Sequence, residues 1–503
     1  MAGAWGLAGR SLILVANLVT TPFTIRLLGP ARYGLWSIMQ TAFYLASTSD
    51  VSMGPATTKL GAEEYAHHDG RGESAVVWSG LRIVAVTTTS IALPFIVFAP
   101  AFLRLIGVHG ALLTSGVLAF RIGCGIFILQ SVAGILNTSP QVRLKWRAYT
   151  LISTCSNLIA SAGPPIALAL LSGGLVTASC VLLGSTALLA IGNLLLAVHL
   201  QPQLRRPRFD KAITKRLLAY GGALTVSGIL LLPLQTADRF LLSSNHSTAV
   251  VAYWAVAANL ATILAVLPEQ LVAPLIPALA RLQAAGSFAD VSRLFHRALA
   301  GMFLVATPTA VLLAVIARPF LSIWAGPKYG IHSTIPLLIA IPGIWIDCFN
   351  WVAQSYLLSA GRPKVLAYIR TAELAPYLFA AWFLTDKFGA IGAALALSGR
   401  LVVESLVVFA AVRHVAPLPL LPLSERRLAS IAGPLVLCGA GAAVAFLSHG
   451  FAARAGCAIG LGLAYAVVCW RLILTPRERQ GVLVVTDEAL RRGPAPRHSR
   501  YPI

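Results

Sequence analysis

Apolar stretches of membrane-spanning length follow one another along almost the whole chain, each broken off by a short polar or basic segment. In lipid every backbone polar group must be paired internally, so such runs mean helices, and each needs roughly 20 apolar residues to span. The pattern predicts fourteen spans, at about 9–28, 34–55, 76–99, 112–138, 148–171, 174–198, 217–242, 249–277, 297–317, 333–358, 365–384, 388–410, 428–447 and 452–474. From Arg477 the tail is basic, rich in proline and arginine, and expected to be disordered. The predicted fold class is an all-α polytopic membrane protein.

Composition agrees. The chain of 503 residues is 57% apolar and 11% charged, with a mean hydropathy of +0.79. A soluble protein carries about 25% charged residues. The net charge of +22 does not point to nucleic acid, because the basic residues punctuate apolar runs instead of covering one soluble domain. Counted by alternate loops, 27 Lys and Arg fall on the face holding both termini and 7 on the other, with five inside spans. That contrast supports the span count and places both termini in the cytoplasm. The seven cysteines (124, 155, 180, 348, 438, 457 and 469) lie in apolar segments without a C-x-x-C spacing, and read as small buried hydrophobes. No cleavable signal peptide is expected, since the first apolar stretch runs straight into a polar hinge.

An internal repeat is visible. The segment 99–107 echoes 317–326, Ala148-Tyr149 echoes Ala367-Tyr368, the Gly174 to Gly184 spacing recurs as Gly389 to Gly399, and Arg26 echoes Arg239. The offset runs from 213 to 219 residues. A repeat of six spans leaves both halves in the same orientation, related by an axis along the membrane normal, with a substrate site between them. The expected division is a six-helix bundle over 1–200, a basic cytoplasmic linker at 201–216, a second bundle over 217–412, two extra helices in 413–474, and the tail from 475.

The hinge after the first span reads Arg26-Leu27-Leu28-Gly29-Pro30-Ala31-Arg32-Tyr33-Gly34-Leu35-Trp36, and the second span ends on Asp50-Val51-Ser52-Met53-Gly54. This pattern resembles the start of polysaccharide transporters, which with O-antigen and lipid II flippases belong to the multidrug/oligosaccharidyl-lipid/polysaccharide (MOP) exporter superfamily. The resemblance implies a MATE-like arrangement of two six-helix bundles plus two C-terminal helices. It also implies a multi-pass protein of the bacterial inner membrane that moves an undecaprenyl-diphosphate-linked oligosaccharide by alternating access. Membrane lipid and the lipid-linked glycan would be its partners, a polysaccharide polymerase or glycosyltransferases its candidate protein partners, and a monomer its expected state.

Ionisable groups are costly in a bilayer, so each needs a reason. The candidate cations for a substrate cavity are Arg26, Arg82, Arg121, Arg239, Arg370 and Arg400. Candidate coupling or charge-pair acids are Asp50, Asp238, Asp347, Glu373 and Glu404, with Glu269 a further anion. Arg400 with Glu404, and Arg370 with Glu373, have spacings that share a helix face. They read either as neutralised pairs or as carboxyls that take up a proton and free an arginine. Arg26 and Arg82 read as interface anchors or as cavity cations, and Arg82 could pair with Asp50. Arg121 has no acid within four residues, which favours a cavity. A lumen carrying Arg26, Arg239 and Arg121 would be net positive and suit a diphosphate, whose oxygens match arginine's planar donors. Prolines crowd the eighth span, which is expected to bend.

Enzyme chemistry is not expected: the sequence has no Walker A motif and no His/Cys cluster with metal spacing. His67-His68, among Glu63, Glu64, Asp69 and Glu73, reads as a solvated connector. No cofactor is expected beyond H+ or Na+ as a coupling ion. Two alternatives stay open: a cation-coupled drug exporter of the same superfamily, and a non-transporting scaffold of a glycan-assembly complex.

Overall fold

The computed structural model describes residues 2–415 apart from 52, 68–69, 144, 172 and 273–274, together with Gly456 and Gly460. In several helical stretches, of which 42–51 and 222–232 are long examples, it describes the backbone alone. The two expected C-terminal spans, but for those two glycines, and the basic tail lie outside the described residues. Every regular element among the described residues is helical.

The first helix, α1 (Ala2–Val51), is two helices joined at Gly29, whose φ of 74° and ψ of 166° are non-helical. Only a residue without Cβ takes that conformation readily. Pro30 then opens the second piece, where its missing N–H costs nothing. The break falls where the Gly-Pro signal placed the hinge. There follow α2 (Met53–Ala66), α3 (Gly70–Val97), α4 (Ala99–Leu105), α5 (Ala111–Leu136), α6 (Thr138–Val142), α7 (Trp146–Leu170) and α8 (Leu175–Leu200).

After the linker, α9 (Lys211–Asn245) starts at Asp210, whose Oδ1 accepts the N–H groups of Ala212 and Ile213 at 2.7 and 3.2 Å, a standard N-cap. The expected eighth span is divided at Thr262 into α10 (Thr248–Ala261) and α11 (Ile263–Val272), and beyond the undescribed residues 273–274 comes α12 (Leu275–Ala284). The chain continues as α13 (Phe288–Trp324), α14 (Pro327–His332), α15 (Thr334–Ser359), α16 (Pro363–Phe388) and α17 (Ala390–Val415). Among the described residues nine helical segments are long and apolar enough to cross a membrane, so this is a multi-pass membrane chain. The helices α9 and α16 coincide with two more expected spans and carry internal charges. The repeat leaves a backbone trace: Gly107 and Gly326, which close its first pair of matching segments, both have positive φ, 81° and 115°.

Contacts group the chain into two compact units. One comprises Met1–Thr262, Arg318–Ile344 and Pro363–Val407; the other comprises Ile263–Ala317, Trp345–Arg362 and the described residues from Val408 on. In the first unit, α1 and α10 meet so closely that a Cβ on Gly34 would lie 1.5 Å from the Thr248 carbonyl oxygen. Trp254, Leu35, Ile38 and Met39 are fully buried there. In the second unit an aromatic cluster of Phe303, Trp345 and Phe349 packs α13 on α15, and the Trp345 indole donates to Thr307 Oγ1 at 3.0 Å. One cysteine expectation needs correcting. Cys124 and Cys348 are buried, but Cys155 and Cys180 are exposed on their helices. In a membrane chain an outward helix face meets lipid, which is as apolar as a core and accepts the same residue.

Candidate functional site

The site is built from adjacent residues of α9. Asp238 and Arg239 leave the helix about 100° apart, so they reach different neighbours. Asp238 is buried; its carboxylate accepts the Trp254 indole N–H from α10 and the Arg239 backbone N–H, the latter at 2.9 Å. Arg239 turns to α1. Its Nη1 donates to Ser37 Oγ at 3.1 Å and to Thr41 Oγ1, and its Nη2 donates to Asn259 Oδ1 of α10 at 3.1 Å. Asn259 in turn bonds the buried Tyr33 hydroxyl. One guanidinium thus ties α9 to α1 and α10 through neutral oxygens, while the neighbouring carboxylate balances its charge.

A second group lies on α16 and α17. Arg400 Nη1 is 3.2 Å from Glu404, one turn further on, and 3.5 Å from Glu373 of α16. The three side chains are 7 to 11% exposed. The Arg400 guanidinium stands 5.4 Å from the centre of the Tyr377 ring. Glu373 is also within electrostatic range of Arg370 on its own helix. Its hydrogen bond from Arg400 is a long one, at 3.5 Å. The two groups connect: Asp238 interacts electrostatically with Arg400, and Tyr377 with both. Leu234, Tyr377, Ala381 and Ala396 form the apolar packing between α9, α16 and α17. The result is a polar network of three arginines and three acids threaded through five helices.

The remaining candidates sit elsewhere. Arg121 is exposed, and its Nε donates to the Ile96 carbonyl at 3.1 Å. That carbonyl's helical partner would be the N–H of residue 100, which is proline and has none. Arg26 is exposed and donates to the Ile323 carbonyl at 2.7 Å. Arg82 lies over the Phe209 ring at 5.6 Å. The Asp50 side chain, and with it the expected Arg82 pairing, lies outside the described residues. Asp347 belongs to the second unit, where it accepts a hydrogen bond from Asn350 at 3.2 Å. Glu269 is exposed on α11.

Among the described residues the six candidate arginines fall into three kinds of setting. Three arginines are matched by three acids, two are bonded to backbone carbonyls at helix ends, and one lies on an aromatic ring. The connector between α2 and α3 also differs from expectation. Glu73 is 1% exposed and holds Arg143 in a two-armed pair at 2.5 and 2.9 Å, while Arg216 of α9 pairs with Glu63 at 2.8 Å. Trp254, Asn259, Tyr33, Ser37, Thr41 and Tyr377 complete the network, and sequence reasoning did not assign them to it. Their partners lie on other helices, so no short spacing announces them.

The all-helical fold is one shared with solved membrane transporters. It superposes on the lipid II flippase MurJ in an inward closed conformation with a TM-score of 0.72 at 13% identity, over 93% of this chain and 98% of that one. It superposes on an inward-facing multidrug resistance MATE family transporter with a TM-score of 0.70 at 14% identity, over 80% and 94%. A Shigella flexneri protein to which O-antigen transport is ascribed is 27% identical over 418 residues, 80% of this chain and 95% of that protein. The profile of the polysaccharide biosynthesis protein family matches residues 24–332. The chain belongs to that family.

Proposed function

We propose that this protein flips an undecaprenyl-diphosphate-linked oligosaccharide, of O-antigen, exopolysaccharide or capsule type, across the bacterial inner membrane by alternating access. The observation that carries the reading is the match along 95% of the Shigella flexneri protein to which O-antigen transport is ascribed. The likeness to the MATE structure is one of fold and gives drug export no separate support. In this reading residues 1–200 and 217–412 rock against each other, both termini stay in the cytoplasm, and the protein works without a chemical step. Arg239, whose planar fork already bonds four oxygens of α1 and α10, is the candidate to exchange them for phosphate oxygens. Glu373, about one-tenth exposed and held by Arg400 only at 3.5 Å, is the candidate acceptor for a coupling H+ or Na+.

The test is the leaflet position of the undecaprenyl-linked glycan in cells lacking the protein. Cytoplasmic accumulation, relieved by wild type but not by stably inserted Arg239→Lys, supports the reading. Lysine keeps the charge and loses the fork. Normal arrival at the outer leaflet without the protein sinks the assignment.

A further inference from the structure

Near the hinge two helices exchange side-chain donors, and prolines explain why. Pro22 lies inside α1 and has no N–H, so the Leu18 carbonyl four residues earlier lacks its helical partner. The Trp324 indole of α13 fills that place, Nε1 to oxygen 2.7 Å. At the end of α13 the Ile323 carbonyl is one of the last four, which no helical N–H can reach. Residue 327, four further on, is proline as well. Arg26 of α1 fills this second place at 2.7 Å and reaches the Trp324 carbonyl at 3.4 Å. A cation there also suits the carbonyl end of the helix dipole. Phe320 stacks on Trp324 at 5.5 Å between ring centres and steadies the indole.

The exchange is reciprocal: α1 gives a guanidinium to the end of α13, and α13 gives an indole to α1. Neither acceptor takes part in its own helix ladder. The contact can therefore open and close without breaking a helical hydrogen bond, and exposed Arg26 can exchange the carbonyl for water.

We propose that Arg26 and Trp324 form a latch that closes α1 on the end of α13 in this state and opens once in each transport cycle. The second clause rests on the alternating-access reading above, because α1 and α13 belong to opposite halves of the repeat. Arg26 is then a positioning residue, held by a backbone acceptor.

The experiment places a cysteine at Ala325, which is 3% exposed beside the latch, and follows its reaction with a membrane-impermeant maleimide in intact cells. Protein without the added cysteine gives the background from the seven natural ones. Arg26→Gln and Trp324→Phe should each speed labelling about three- to tenfold, the worth of one partly exposed hydrogen bond. Arg26→Lys, which keeps a charged donor, should stay nearer the wild-type rate. Pro22→Ala restores an N–H to the Leu18 carbonyl, so adding Trp324→Phe in that background should change the rate less than about twofold. Equal labelling in all variants overturns the latch, and so does a Trp324→Phe effect that persists in full with Pro22→Ala. Labelling needs no glycan and so stands apart from the flippase reading. Faster labelling with unchanged glycan transfer would remove the latch from the cycle and leave that reading intact.

Discussion

Arg400 holds two carboxylates at once, at 3.2 and 3.5 Å, in a pocket where all three side chains are about one-tenth exposed. At an effective dielectric of about 20, each attraction is worth about 5 kcal/mol before the cost of desolvating the charges. That cost offsets much of the gain, so the triad contributes little net stability as a whole. Breaking it is a different matter. Arg400→Gln leaves Glu373 and Glu404 buried together without their shared cation, and should cost about 3–5 kcal/mol. Replacing all three by glutamine removes the uncompensated charge and should return stability to within about 1 kcal/mol of wild type. Denaturant unfolding of the purified protein in one detergent would compare the variants, with Arg82→Gln as an exposed control expected to lose about 1 kcal/mol or less. The reasoning fails if Arg400→Gln unfolds like wild type, or if the triple variant is less stable than the single one.

Two further outcomes follow from packing. Gly34→Ala would drive a methyl to 1.5 Å from the Thr248 carbonyl oxygen, so α1 must leave α10; loss of monodisperse protein on size exclusion is expected, whereas Gly399→Ala, with open space around its Cβ, should behave as wild type. Arg143→Met leaves the 1% exposed Glu73 without its partner and should cost about 3 kcal/mol in the same unfolding assay, largely recovered by adding Glu73→Gln.

The fold class was legible because lipid forces backbone pairing into helices, and helix length against bilayer thickness is arithmetic. The hinge was legible too, since Gly29-Pro30 combines a residue free to take positive φ with one that can open a helix. Within one helix, the Arg400 to Glu404 pair followed from its spacing. The spacing could not supply Glu373 as Arg400's second partner, because that depends on how α16 is rotated against α17. Nor could it show that Arg239 would end among Ser37, Thr41 and Asn259, for the same reason. The same holds for the acids that other helices bring to an arginine, as α16 brings Glu373 to Arg400. The prolines carry a subtler lesson. A proline names the unpaired carbonyl four residues earlier, so Leu18 and Ile96 could be read from the chain as open acceptors. Which donor would cross from another helix to fill them could not.

The balance of the buried network bears on how membrane voltage can act. With all six ionised, Arg239, Arg370 and Arg400 cancel Asp238, Glu373 and Glu404. Rocking of the helices that carry them then moves no net gating charge from this network through the field. Voltage is worth about 2.3 kcal/mol per elementary charge per 100 mV, and it acts only on charge that is carried across. In the proposed cycle that charge belongs to the cargo and to any coupling ion held at Glu373. A membrane negative inside pushes a diphosphate head outward, so a core with all six groups ionised makes export electrogenic, and the return carries charge only if Glu373 brings an ion back.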